Sequence, residues 1–153
     1  MNREVGFGRK LLQILEDENI SYEHTPSGLD DISVIMRSNQ LTPENEARII
    51  SRVKEELHAE YVEMRHGFSM IVIVGEGGMR HNTGLAARAA TAISKTGANI
   101  EMINQGSSEV SLVFGGSFRN MKTAFYKRYM KSFLPMQKHN DTIYTNPSVS
   151  CLD

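Results

Sequence analysis

From Val5 to Glu18 the apolar residues Val5, Phe7, Leu11, Leu12, Ile14 and Leu15 recur at helical spacing, and Asn19 supplies a stop. The pattern then switches. "ISYEH" (20–24) has strand character, "TPSGLDD" bends at Pro26 and Gly28, and "ISVIMR" (32–37) is a short β-branched strand. A second helix is predicted from Leu41 to Leu57, with Thr42 as N-cap and Pro43 in the first helical position. Its apolar positions Ala47, Ile50, Val53 and Leu57 share a face. "AEYVEMRH" (59–66) reads as a third strand closing this unit.

The most apolar segment is "FSMIVIVGEG" (68–77), a strand whose composition implies burial on both faces. A loop, "EGGMRHNTG", leads to a helix from Leu85 to Lys95 that ends at Gly97. "GANIEMINQGSSEVSLVFG" (97–115) is then strand, turn and strand: Val110, Leu112 and Phe114 alternate with Glu109, Ser111 and Val113. "SFRNMKTAFYKRYMKSFL" reads as a last helix, with Met121, Phe125, Tyr129 and Phe133 four residues apart. After Pro135 the chain is polar and aperiodic, which predicts a mobile tail.

The two halves repeat. Asn19-Ile20 recurs as Asn99-Ile100, and "DDISVI" (30–35) as "SEVSLV" (108–113). Each copy reads helix, strand, turn, strand, helix, and only the second has its own leading strand. The expected class is α+β, two ferredoxin-like βαββαβ domains of which the first lacks its leading strand. The expected boundaries are 1–66, 67–134 and a tail at 135–153.

Composition narrows the function classes. The 153 residues carry 17 basic and 18 acidic side chains, a net charge of −1, and so lack the basic excess of a nucleic-acid binder. No apolar run is long enough for a membrane span, and "MNREVGFGRK" lacks the apolar core of a signal peptide. Cys151 is the only cysteine, which excludes an internal disulfide and fits a reducing cytoplasm.

Candidate chemistry is sparse. "VGEGG" beside "MRHNTG" has neither a Gly-Lys-Ser/Thr sequel nor dinucleotide-fingerprint spacing. The five histidines have no metal-ligand spacing, so neither a metal nor a cofactor is expected. His81 sits ahead of the second unit's helix, either as an exposed loop residue or as a ligand contact. Asp30-Asp31 fall in a turn, where Asp is common for structural reasons. No nucleophile with a base and an orienting group can be assembled, so no catalytic residue is assigned and an independent enzyme on this scaffold is disfavoured. What remains is the helix N-terminus: "NREVGFG" and the second loop both present backbone N–H groups able to hold a carboxylate.

Two segments carry a resemblance. "MNREVGFGRKLLQILEDENISYEHTPSGLDDISVIMR" and "MIVIVGEGGMRHNTGLAARAATAISKTGANIEMINQGSSEVSLVFG" are similar to the tandem ACT domains at the C-terminus of aspartokinases, over roughly residues 1–115. "GANIEMINQGSSEVS" is the most specific part. The kinase domain's Lys-Phe-Gly-Gly-Thr-Ser stretch is absent, so the resemblance is to the regulatory half, which is not itself an enzyme. It implies a homodimer, attached in the parent protein to the aspartokinase catalytic domain. It also implies feedback control: an end-product amino acid, lysine or threonine, bound between ACT domains of two subunits. On the residues of this chain, the family's effector contacts fall at Met1, Glu4, Gly6, Phe7, Gly8, Ser21, Tyr22 and Glu23. In the second domain they fall at Asn99 and Ile100, with His81 and Asn82 in the equivalent loop. Glu23 is either the acid that pairs with the ligand's ammonium or an exposed strand acid. The alternative function is a purely structural dimerisation module that binds no ligand.

Overall fold

The computed structural model describes residues 4–74, 83–105, 111–117 and 142–152. The chain divides into two units, Met1–Gly67 with Ser148–Asp153, and Phe68–Pro147. The expected last helix lies outside the described residues.

In the first unit, α1 (Phe7–Asp17) buries Leu11, Ile14 and Leu15 on one face. It stops at Asn19, whose left-handed backbone (φ 56) lets the Ile20 amide return to the Leu15 carbonyl at 2.9 Å. Helix α2 (Pro43–Leu57) starts on a reciprocal cap: the Asn45 amide donates to the Thr42 hydroxyl, and the Thr42 amide to the Asn45 side chain. Its buried residues are Asn45, Ile49, Val53 and Leu57. That corrects the expected face, because Ala47 is exposed and Ile50 only half-buried. Counting back in fours from Leu57 reaches Ile49 and then Asn45, a polar residue admitted to the face because capping satisfies it.

Strands β1 (Tyr22–His24) and β2 (Val34–Arg37) pair antiparallel. The turn between them closes tightly, the Gly28 amide donating to the Asp31 carbonyl at 3.0 Å. A side chain at Gly28 would meet the Asp31 carboxylate at 2.1 Å. Within β2, Val34, Ile35 and Met36 are wholly buried. The other edge of β2 pairs with β6 (Thr142–Leu152), in register from Val34 opposite Leu152 to Arg37 opposite Val149. The tail expected to be mobile is therefore strand over Thr142–Leu152. Such a buried strand needs ladder partners on both edges, and "TIYTNPSVSCL" carries enough β-branched residues to supply one. In a βαββαβ sheet the third strand lies between the second and the first. Strand order β1-β2-β6 thus puts the chain's last strand where the first domain's leading strand belongs.

The second unit keeps that order with local strands. Strand β3 (Met64–Val74) leads to α3 (Leu85–Ser94), β4 (Met102–Asn104) and β5 (Ser111–Gly116), with sheet order β3-β5-β4, antiparallel throughout. The separate strand expected at 59–66 is absent: only Met64–His66 are extended, and they begin β3. Leu112 and Phe114 alternate into a core with Ile71, Ile73, Leu85, Ala89 and Ile93. Gly115, opposite both Met70 and Met102, leaves room for the Phe68 ring; a Cβ there would stand 2.5 Å from it.

Candidate functional site

Both α1 and α3 open on a left-handed glycine, Gly6 (φ 82) and Gly84 (φ 79), with no side-chain cap. The glycine carbonyl accepts the first helical hydrogen bond, from Lys10 in α1 and from Arg88 in α3, each at 3.0 Å. Among the described residues no side chain caps the first-turn N–H groups of α1 or α3, whereas those of α2 are closed by Thr42 and Asn45. Open N–H donors with a helix dipole behind them suit a carboxylate.

Around α1, Phe7 and Gly8 are half-buried, and exposed Glu4 pairs with Lys10 at 2.9 Å. That contact holds the Glu4 carboxyl below its usual range. Ser21, at the far end of α1, is bracketed by Gln40. Its amide and hydroxyl both donate to the Gln40 carbonyl oxygen, at 2.9 and 2.8 Å, and its carbonyl accepts from the Gln40 amide nitrogen at 3.0 Å. Tyr22 is exposed on the edge strand. Glu23 is the extra residue of a β-bulge, because Tyr22 faces Met36 while His24 already faces Ile35. The bulge turns its carboxylate to the Arg37 guanidinium, with which it pairs. His24 follows with its Nε2 buried and unpartnered, and burial lowers its pKa.

The structure thus does not gather the first-unit candidates at one place. Ser21 and Tyr22 line a groove of about 650 Å³ with Leu12, Asn19 and Gln40. Phe7 lines a different cavity of about 550 Å³, which meets α1 at Phe7 and Leu11 where the groove meets it at Leu12, Leu15 and Glu16. In the second unit Asn99 is exposed, and Ile100 packs against that unit's own core. Met1, His81 and Asn82 lie outside the described residues. Gln40 and Arg37, the actual partners of Ser21 and Glu23, escape a reading of the sequence because both contacts cross between segments. Among the described residues no group of acidic, histidine or cysteine side chains could hold a metal ion, and no helix is long and apolar enough to cross a membrane.

Residues 71–124 match the ACT domain family. Over 133 residues the chain is 50% identical to aspartokinase 3 of Bacillus subtilis (strain 168). The chain carries an ACT domain and is a homologue of the aspartokinases. The matched region is 87% of this chain but 29% of the Bacillus protein. The crystal structure of Clostridium acetobutylicum aspartate kinase, an allosteric enzyme, superposes with a TM-score of 0.69 at 35% identity, over 86% of this chain and 29% of that one. A crystal structure of aspartokinase alpha and beta subunits shares the fold, with a TM-score of 0.54 at 20% identity over 75% of this chain and 76% of that one. The aspartokinase homologue thus has the α+β fold of ferredoxin-like ACT domains with antiparallel sheets.

Proposed function

We propose that this chain is the regulatory segment of an aspartokinase and binds an end-product amino acid, lysine or threonine, between ACT domains of two copies. The observation that carries this reading is the glycine-opened helix N-terminus, built once in each unit. It offers N–H donors to an α-carboxylate, and the edge strand β1 or β4 of the second copy offers carbonyls to the ammonium group. A ligand that prefers one arrangement of the two copies shifts the population toward it. In a longer protein that shift would reach the kinase domain and set the rate of aspartate phosphorylation.

One observation favours the alternative, a dimerisation module without a ligand. The candidate ligand acids are already engaged, Glu23 with Arg37 and Glu4 with Lys10, while both edge strands expose a large apolar side chain, Tyr22 and Ile103.

Thermal unfolding against each common amino acid separates the two. A ligand confined to the folded state adds about 2.7 kcal/mol at a hundredfold excess over Kd. A shift with lysine or threonine alone supports regulation, and replacing the Glu23–Arg37 pair with Gln and Met would then change that shift. The absence of any shift, with dimers still present in sedimentation, leaves the structural role.

A further inference from the structure

Gln40 closes the short turn (Ser38–Gln40) that follows β2, and its side chain reaches Ser21, beside it in the groove of about 650 Å³. Three hydrogen bonds join the two residues. Backbone chemistry fixes which end of the carboxamide is which. The Ser21 N–H can only donate, so it faces the Gln40 oxygen, at 2.9 Å. The Ser21 carbonyl can only accept, so it faces the Gln40 nitrogen, at 3.0 Å. The Ser21 hydroxyl meets the same Gln40 oxygen at 2.8 Å, and against an acceptor it has one role: it donates. A serine hydroxyl has a single proton and two lone pairs. What Ser21 has left for a molecule in the groove is the lone pairs.

Gln40 works from a fixed base. Its carbonyl accepts from Asn45 Nδ2 at 3.0 Å, and Asn45 is buried, its Oδ1 accepting from the Thr42 amide at 2.8 Å. The cap that starts α2 therefore also holds the residue that orients Ser21. This network uses the Gln40 backbone, so the side chain can be changed without dismantling the cap.

We infer that Gln40 is a positioning residue for the proposed amino-acid site: it takes up the only proton of the Ser21 hydroxyl, so that Ser21 receives a hydrogen bond from the ligand and gives none. The inference rests on the amino-acid reading above and deepens it. A ligand ammonium or hydroxyl finds an acceptor at Ser21. A carboxylate there would meet lone pairs, and is directed instead to the open helix N–H groups. Without Gln40 the hydroxyl is free to turn and to donate, and this discrimination is lost.

The test is a double-mutant cycle on the whole chain, with lysine and threonine each titrated by calorimetry. For the amino acid that binds, Gln40→Met weakens affinity about fivefold, the worth of one ordinary hydrogen bond, and Ser21→Ala does much the same. The double variant loses no more than Ser21→Ala alone, because Gln40 acts through the hydroxyl. A merely structural Gln40 would lower affinity again in the Ser21→Ala background. Without ligand, Gln40→Met speeds exchange of the Ser21 amide, while the methyl signals of Ile49 and Val53 stay in place and show that α2 is intact. Additive losses, or undiminished binding by Gln40→Met, overturn the inference and leave the amino-acid site standing. A parent chain that binds neither amino acid overturns that reading, and the inference with it.

Discussion

Strand β5 of the second unit is flanked by β4 and by β3, the strand that leads into that unit's own helix. Strand β2 of the first unit is flanked by β1 and by β6, from the far end of the chain. The two sheets have the same local order, but one is closed by a neighbour in sequence and the other by a distant segment. Loop-closure entropy grows slowly with length, so the distant strand weakens the first unit little at equilibrium. Its effect is on assembly: the first unit completes its sheet only once the chain beyond residue 141 has been placed, and such non-local pairing is slow.

The largest effects test whether each core serves its own unit. Phe114→Ala removes a wholly buried ring from the second core and costs about 3–5 kcal/mol; Ile14→Ala does the same for the first at about 2–5 kcal/mol. Methyl signals followed through a urea titration should show each variant lowering its own unit's midpoint more than the other's. Identical shifts in both units would mean one cooperative structure, and the comparison would collapse.

Truncation after residue 141 comes next. It strips the ladder from Val34–Arg37 and costs the first unit about 2–3 kcal/mol, at roughly 1 kcal/mol or less per hydrogen bond. Hydrogen exchange at Val34–Arg37 should accelerate while the amides of Ser111 to Gly116, laddered to β3 and β4, keep their protection. Unchanged exchange at β2 would show that β6 contributes nothing there.

Helix starts sharpen the comparison within the first unit. Thr42→Ala removes the side-chain cap of α2 and costs about 1 kcal/mol. At α1 the rule reverses, since adding a side chain is what harms: Gly6→Ala puts a Cβ on a left-handed backbone and costs about 1–2 kcal/mol. Chemical denaturation of both variants checks this. A Gly6→Ala protein as stable as the parent would mean that the helix can restart on a different cap.

These differences mark what the sequence could reveal. The helices were legible because apolar spacing and end signals agree: Leu11, Ile14 and Leu15 with Asn19 at one end, Thr42-Pro43 at the other. The face of α2 was misplaced because Asn45 is polar yet buried, and hydrophobicity alone cannot find a residue whose burial depends on capping. Strand β6 was missed because its residues alternate weakly and its need arises in β2, far away in the chain. The candidate site fared similarly. Gly6 and Phe7 open α1 as expected and Ser21 falls one residue before β1, but the pairing of Glu23 with Arg37 and of Ser21 with Gln40 is tertiary, and no local pattern encodes it.

The smallest expected effect is electrostatic and falls on the first unit. Arg52 and Gln13 hold the Asp17 carboxyl below its ordinary 3.8, and Arg48 holds that of Glu18 below 4.5. In the unfolded chain these groups take up protons near the ordinary values, whereas the folded state resists until lower pH. Their contribution is therefore complete above about pH 5 and drains away as pH falls through the depressed folded values. His24 has the same sign in a higher window: burial disfavours its charged form, so stability begins to fall as pH drops below the ordinary 6.5. Urea midpoints of the first unit should thus decline in two stages on acidification. Replacing His24 with Gln should remove the upper stage, and Arg48→Met should flatten the lower one. Both pairs α1 makes with α2, Asp17–Arg52 and Glu18–Arg48, are solvent-screened, so the lower stage should also shrink in added salt. A lower stage that survives both Arg48→Met and high salt would assign the acid sensitivity to other groups, and the first unit's charged seam would then be surface decoration.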